Sequence, residues 1–216
     1  MMLYGVYGAS GFGRELMPVV RQQVSTELEA ECVFIDDAET PATVNRYKSM
    51  TFESFLSHPA EERRVAIAIA AGDIRAAVAE KCARSNVSVF DVRAQNSIVM
   101  DEVRTEEGLV LCSFTTLTAN VTIGRHFHAN IYSYVGHDCV IGDYVTFAPG
   151  VMCNGNVHVE DYAYIGTGAV IRQGIPDKPL VIGAGATVGM GAVVTRDVPP
   201  GMTVVGNPAK SIIGDQ

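Results

Sequence analysis

The chain has 216 residues, 48% of them apolar and 19% charged, which is enough for a large core and argues against a disordered chain. Sixteen Lys and Arg stand against 24 Asp and Glu, a formal net charge of −8, so a basic face tracking nucleic acid is not expected. No apolar run approaches the roughly 20 residues of a membrane span, residues 1–7 carry no basic leader, and the five cysteines (Cys32, Cys82, Cys112, Cys139, Cys153) form no C-x-x-C pair, so a cytoplasmic protein with reduced thiols and no membrane partner is expected.

The first 92 residues alternate short apolar runs with helical patterns. A strand over 3–7 runs into Gly8-Ala9-Ser10-Gly11-Phe12-Gly13, and a helix follows over about 14–23. A second strand over 31–35 ends in Asp36-Asp37, a third covers 65–70, a helix opens at Asp73 and runs to 83, and a last strand covers 87–91. This predicts an α/β domain over 1–92, a half-Rossmann-like unit with a small parallel sheet, sized for one mononucleotide rather than two. Gly8, Gly11 and Gly13 follow a strand and open a helix, where free N–H groups and the helix dipole attract phosphate, although the spacing is not G-x-G-x-x-G. Asp36 and Asp37 end a strand where a carboxylate can bond a ribose or base. Gly72-Asp73-Ile74-Arg75 opens the later helix, and Arg75 is placed to clamp a pyrophosphate.

From about Val99 the period becomes six: Val99, Thr105, Leu111, Leu117, Ile123, Ala129, Val135, Ile141, Phe147, Cys153, Val159, Ile165 and Ile171 are apolar but for Thr105. Gly and Asn recur in the next place (Gly124, Asn130, Gly136, Gly142, Asn154, Gly166), which suggests corners with positive φ. The fifth place is small or branched, as at Val121, Cys139, Val145 and Ala163. After a five-residue insertion near 177–181 the step resumes at Ile182, Val188 and Val194. A hexad repeat predicts a parallel β-helix over 93–216, three hexads to an 18-residue coil.

Stepping by one coil from the third place of a hexad gives Asp101, Ala119, His137, Gly155 and Gln173, stacked on one outward face. An imidazole there can take a proton near neutral pH, and an N–H without a side chain can approach a thioester carbonyl, so His137 and Gly155 form a minimal acyl-transfer pair. His126, His128 and His158 fall at outward places; a zinc site would need a close pair and a third ligand, His126 and His128 are two apart, and no metal is expected. His58 precedes Pro59 in a loop and carries no expectation.

The hexads, the tail Val205-Gly206-Asn207-Pro208-Ala209-Lys210 and the opening Gly8-Ala9-Ser10-Gly11-Phe12-Gly13-Arg14-Glu15 together resemble the left-handed β-helix sugar acyltransferases, in the branch that N-acetylates nucleotide-linked 4-amino-sugars, with sialic-acid O-acetyltransferase-like proteins as close relatives. The resemblance spans essentially the whole chain and is most specific at Gly136-His137-Asp138 and Gly155-Asn156. It implies a homotrimer with acetyl-CoA between neighbouring β-helices, His137 as base, Asp138 as the carboxylate that orients it, and Gly155 N–H as oxyanion donor. It implies a sugar nucleotide held by the segments containing Gly8, Ser10, Gly11, Phe12, Gly13, Arg14, Asp36, Asp37, Gly72, Asp73 and Arg75. Asn130 matches a position near the acceptor, or is a plain corner. The pantetheine arm is expected past Thr146, Thr167 and Gly185, the last two one coil apart, toward Lys210. Segment 40–47 is longer and more polar than the family pattern. The expected activity is acetyl-CoA-dependent N-acetylation of a nucleotide-diphosphate 4-amino-sugar for surface glycan synthesis. O-acetylation of a sugar such as a sialic acid, a non-catalytic sugar-nucleotide-binding trimer and a zinc hydratase are the alternatives.

Overall fold

A computed structural model describes residues 1–27, 29–38 and 41–212. The chain starts with β1 (Met2–Tyr7), α1 (Gly11–Gln23), β2 (Ala30–Ile35), β3 (Thr43–Val44), β4 (Tyr47–Met50), α2 (Phe52–Ser57), β5 (Glu62–Ile67), α3 (Gly72–Arg84) and β6 (Ser88–Val89). The sheet order is β3-β4-β2-β1-β5-β6, with every pair parallel except the β3–β4 hairpin. Val6, Phe34, Leu16, Met17 and Val20 pack on one side of the sheet, and Leu3, Val33, Ile35, Phe55 and Cys82 on the other. Thr40 in the unusual segment lies outside the described residues. Its remainder contains the hairpin, which turns at Asn45 and Arg46, both at positive φ (45° and 73°).

Val92 begins a three-sided parallel β-helix. The first face stacks strands from Val92–Arg93 to Thr203–Val205 and closes with the antiparallel Lys210–Ser211. The second face stacks Ile98–Val99 to Val193–Val194, and the third Arg104–Thr105 to Leu180–Ile182. The register advances by 18 residues per coil, as in Val110↔His128 and Thr116↔Tyr134. It advances by 23 where the insertion intervenes, as in Tyr164↔Thr187 and Val157↔Leu180. The predicted apolar and fifth-place residues fill the interior, from Leu109 and Leu111 to Val194 and Val198. Inside, Phe127 meets Phe147 edge-on at 5.1 Å.

The glycine places have a different cause from the one expected. Positive φ falls at Asn120, His126, Tyr132, Asp138, Tyr144, Gly150, Asn156, Tyr162 and Gly168, two residues after the Gly/Asn places. Asn130 is therefore not one of the positive-φ corners. Gly124, Gly136, Gly142 and Gly166 are small because the next coil passes close beneath them. A Cβ on Gly136 would stand 2.6 Å from Asn154 C and Gly155 N, and one on Gly142 2.7 Å from Asp161 N.

The α/β domain sits on the first face. Arg75, on α3, crosses into that face and is completely buried. Its Nε donates to His126 O (3.0 Å), Nη1 to Ile69 O and Ala70 O (2.6 and 3.0 Å), and Nη2 to Tyr144 O, Val145 O and Thr146 Oγ1 (2.7, 3.2 and 3.0 Å). Burial lowers its pKa to about 10, which leaves it a cation at neutral pH. Every group it touches is a neutral oxygen, so the charge is held by dipoles rather than by a carboxylate.

Candidate active site

His137 and Asp138 lie in the turn between the second and third faces, the corner away from the α/β domain. Their side chains are about half exposed, 49% and 46%. His137 Nδ1 stands 2.7 Å from Asp138 Oδ2, which favours the tautomer with the proton on Nδ1 and leaves Nε2 as the free base. Asn120 Nδ2, one coil earlier, donates to Asp138 Oδ1 at 3.2 Å. The bonds from His137 and Asn120 hold the Asp138 carboxyl below the usual carboxylate range, so it is ionised at neutral pH.

Gly155 lies on the next coil, against the imidazole. A Cβ there would stand 2.4 Å from His137 Nε2 and 2.5 Å from Cε1. Its N–H meets no acceptor among the described residues. The coil is braced on both sides: His137 O accepts from Asn156 N (2.9 Å), Asn154 Oδ1 accepts from the Tyr134 hydroxyl (2.8 Å), and Asn154 Nδ2 donates to Ile171 O (2.7 Å). A basic nitrogen, its orienting carboxylate and a free N–H therefore share one corner. Asn120 and Tyr134 escaped the sequence reading, which took Asn154 only as a corner. Asn120 was findable, since it stands 18 residues before Asp138.

The glycine turn after β1 forms a second centre. Gly8 has φ +109°, and a Cβ on Gly13 would meet Gly8 O at 1.8 Å, so the turn and α1 close tightly. Gly11 has nothing within 4 Å of a Cβ. The N–H groups of Gly11, Phe12 and Gly13 have no acceptor among the described residues, and the Ser10 N-cap side chain makes no capping bond, so the first turn is free for an anion. Phe12 leans on His128 of the first face, with centroids 5.5 Å apart, while Arg14 points into solvent. Asp36 accepts from Ala9 N and Ala38 N (2.9 and 3.0 Å), tying β2 to this turn. Asp37 accepts from Phe52 N (3.0 Å), Lys81 Nζ (2.5 Å) and the Tyr7 hydroxyl.

Several expectations need correcting. Arg75 cannot clamp a pyrophosphate, because its guanidinium is buried and committed to six oxygens. Gly72 serves docking: a Cβ on it would stand 2.7 Å from Tyr144 O; Asp73 is exposed beside it. Thr146 faces the α/β domain, donating to Ala70 O at 2.8 Å, and is too enclosed to line a pantetheine groove. Thr167 and Gly185 are not stacked, since the coil there is 23 residues long and Gly191 N, not Gly185 N, reaches Thr167 O. Thr167 lies between the first and second faces with Asn130, whose Oδ1 accepts from Ile131 N; Gly185 lies between the third and first, and Lys210 at the end of the first. Thr146, Gly155, Thr167, Gly185 and Lys210 thus do not form one groove within a protomer. His126 and His128, expected outward, are buried beneath the α/β domain, while His158 is half-buried.

Comparison with known proteins agrees with this architecture. Residues 120–155 match the bacterial transferase hexapeptide family (six repeats). The chain is 48% identical over 214 residues to a GDP-perosamine N-acetyltransferase of Escherichia coli O157:H7, covering 98% of this chain and 97% of that protein. The structure of WeeI from Acinetobacter baumannii AYE superposes with a TM-score of 0.96 at 57% identity, over 98% of this chain and 100% of that one. The acetyltransferase domain of PglB from Neisseria gonorrhoeae FA1090, solved with acetyl coenzyme A, superposes with a TM-score of 0.87 at 27% identity, over 97% and 98% of the two chains. The chain belongs to the family of the GDP-perosamine N-acetyltransferase, hexapeptide-repeat sugar N-acetyltransferases built on a left-handed β-helix.

Proposed function

We propose that the protein transfers the acetyl group of acetyl-CoA to the amine of a nucleotide-diphosphate-linked 4-amino-sugar, a step in surface glycan synthesis. The observation that carries this reading is the His137–Asp138 dyad with Nε2 against Gly155. The amine attacks the thioester carbon, Nε2 receives the amine proton, the free Gly155 N–H bonds the developing oxyanion, and collapse breaks the C–S bond to release CoA. Asp138 keeps the imidazole in its working tautomer. The open first turn of α1 is suited to the diphosphate of the sugar nucleotide. The relatives named for GDP-perosamine and bound to acetyl coenzyme A support both substrates.

The same geometry supports a homotrimer. The α/β domain covers the first face, and His137 lies on the opposite corner, so a sugar held at α1 of one protomer would meet the base of a neighbour. The outward residues of the second face and its adjoining corner are bare and apolar: Ile98, Met152, Tyr132 and Met190 are 52%, 45%, 63% and 81% exposed. We place a second copy there. Five free thiols and two nucleotide-activated substrates favour a cytoplasmic setting; among the described residues no helix is long and apolar enough to cross a membrane.

The test is release of free CoA from acetyl-CoA in the presence of GDP-, UDP- or dTDP-linked 4-amino-sugars, with GDP-perosamine first. No turnover with any amino-sugar, against turnover with a sugar hydroxyl, would overturn the N-acetyl reading. Dissociated and remixed His137→Ala and Gly11→Glu proteins should recover activity in mixed trimers. A monomer mass in light scattering would remove the shared site.

A further inference from the structure

Inside the barrel, behind the Gly155 corner, two thiols meet one carbonyl. Asn154 O accepts from Cys139 Sγ at 3.2 Å and from Cys153 Sγ at 3.8 Å, and from no backbone N–H among the described residues. Both cysteines are buried in the β-helix core, and the acetyl transfer described above uses neither. The Cys139 sulfur also accepts from Val157 N at 3.4 Å. The thiol is thus inserted into the turn over 154–157, between a carbonyl and an N–H placed to bond each other.

Neighbouring corners show what the thiol does. Ser133, one hexad earlier, makes the same pair of contacts: its Oγ donates to Ala148 O at 2.9 Å and accepts from Val151 N at 3.2 Å. With Val145 and Val151 at this place, the turns on the next coil close directly, Ala163 N to Glu160 O at 3.4 Å and Ala169 N to Gly166 O at 3.1 Å. Beyond Val121 and Phe127 neither bond forms among the described residues. A side-chain donor reaching across from the preceding coil, not the turn itself, therefore ties the carbonyl inward at Ala148 and at Asn154.

The carbonyl matters because of the group that shares its peptide. The bond between Asn154 and Gly155 is trans, so the Asn154 C=O and the Gly155 N–H point in opposite directions. With the oxygen fixed on an interior thiol, the N–H is directed away from the core, toward the corner that carries His137. Gly136 leaves the peptide room to take that orientation, since a Cβ there would stand 2.6 Å from Asn154 C and Gly155 N. Resting on the N-acetyltransferase reading above, we infer that Cys139 is a positioning residue: through the Asn154 carbonyl it aims the Gly155 N–H at the oxyanion that forms on the thioester.

In the full-length protein, Cys139→Val has a similar volume and no donor. It is expected to lower kcat with acetyl-CoA and GDP-perosamine by about 10- to 100-fold, short of the full loss of an oxyanion donor. KM for acetyl-CoA should stay within about twofold. Cys139→Ser, able to keep both bonds as Ser133 does, should recover most of the loss. Ser133→Val removes the same two bonds at a corner without the dyad, so it should match the loss of stability and not the loss of kcat. Without turnover, the infrared carbonyl band of isotope-labelled acetyl-CoA should shift down on binding to the wild type and shift less in Cys139→Val. An unchanged kcat or an unchanged band shift in Cys139→Val, or an equal kcat loss in Ser133→Val, would overturn the assignment. If Cys139→Val fails to fold, Cys139→Ala makes the same comparison. Raman spectra test the bond in the wild type itself: the S–H band that disappears in Cys139→Ser should lie below that of a free thiol, and a free-thiol frequency overturns the inference. A wild-type protein that shows the infrared shift, loses it in Cys139→Val and acetylates no amino-sugar would sink the functional reading alone.

Discussion

Gly155→Ala is the sharpest test of how the corner works. The added Cβ would stand 2.4 Å from His137 Nε2, where ordinary van der Waals contact begins at 3.4 Å. The imidazole must retreat by about 1 Å, and a displacement of that size costs on the order of 10² in rate. Removing the base altogether, in His137→Ala, costs roughly 10²–10⁴. His137 is half exposed and its ring can swing outward, so Gly155→Ala should melt close to the wild type and bind CoA normally. The decisive measurement is the double variant. If the methyl acts by displacing the ring, it has little left to damage once the ring is gone, and the two losses are strongly non-additive. If it instead spoils the approach of the thioester to the Gly155 N–H, the losses multiply. Single-turnover acetyl transfer with GDP-perosamine, for wild type, both singles and the double, reads the coupling directly. Wild-type turnover in Gly155→Ala would refute the packing argument, and multiplied losses would move Gly155's role from making room to binding the oxyanion alone.

Asp138→Asn should lower kcat by about tenfold or more across pH 6–8, because the amide no longer fixes the Nδ1–H tautomer. The carboxyl is held below its ordinary range, so in the wild type it stays ionised over that window and contributes no acid limb of its own; an unchanged kcat would remove it from the mechanism. Arg75→Met should destabilise the protein by about 3–5 kcal/mol, since it orphans carbonyls from both domains. At 2–4 °C per kcal/mol that lowers the melting temperature on the order of 10 °C, and a shift under about 2 °C would show the rivet to be dispensable. Burial holds His126 neutral, with its pKa pushed down to about 4, below the unfolded value of 6.5. The unfolded chain then takes up a proton that the folded chain refuses, so stability is full above pH 6.5 and falls toward pH 4, by about 2 kcal/mol between pH 7 and pH 5. Urea midpoints at the two pH values should show this loss in the wild type and a smaller one in His126→Gln; equal slopes would place His126 in solvent.

The interior of the β-helix was legible because burial is written in the hexads themselves: Leu117, Val135, Cys153 and Ile171 needed only their spacing. His137 and Gly155 were legible for the same reason, since one coil is a fixed number of residues. What failed was whatever depended on a distant backbone. The Gly at 136 reads as a flexible corner until the coil carrying Asn154 and Gly155 is seen passing 2.6 Å from its missing Cβ. Arg75 at the start of a helix reads as a phosphate clamp until carbonyls from residues 126, 144 and 145 are seen to converge on it. The register of Thr167 failed because an insertion lengthens one coil without disturbing the apolar step on either side of it.

The misplaced histidines show a more general limit. The residue opening each coil strand points outward by the same rule on all three faces, yet its fate differs by face. His128 and Thr146, on the first face, are 1% and 5% exposed, while Val140 on the third and Met152 on the second are 43% and 45%. The hexad determines only that these side chains leave the barrel; the docked α/β domain decides which of them leave the solvent. That is why an imidazole at His128 has no hydrogen-bond partner among the described residues and is held neutral, its pKa well below the usual value, while an identical side chain at His137 keeps a free nitrogen. Burial under a second domain removes a histidine from acid–base work, which supports proposing the base on the corner that this domain leaves bare. On the proposed reading, the same geometry puts the glycine turn of α1 and the His137 corner on opposite sides of one chain, which is the argument for proposing that a neighbouring copy takes part in the reaction.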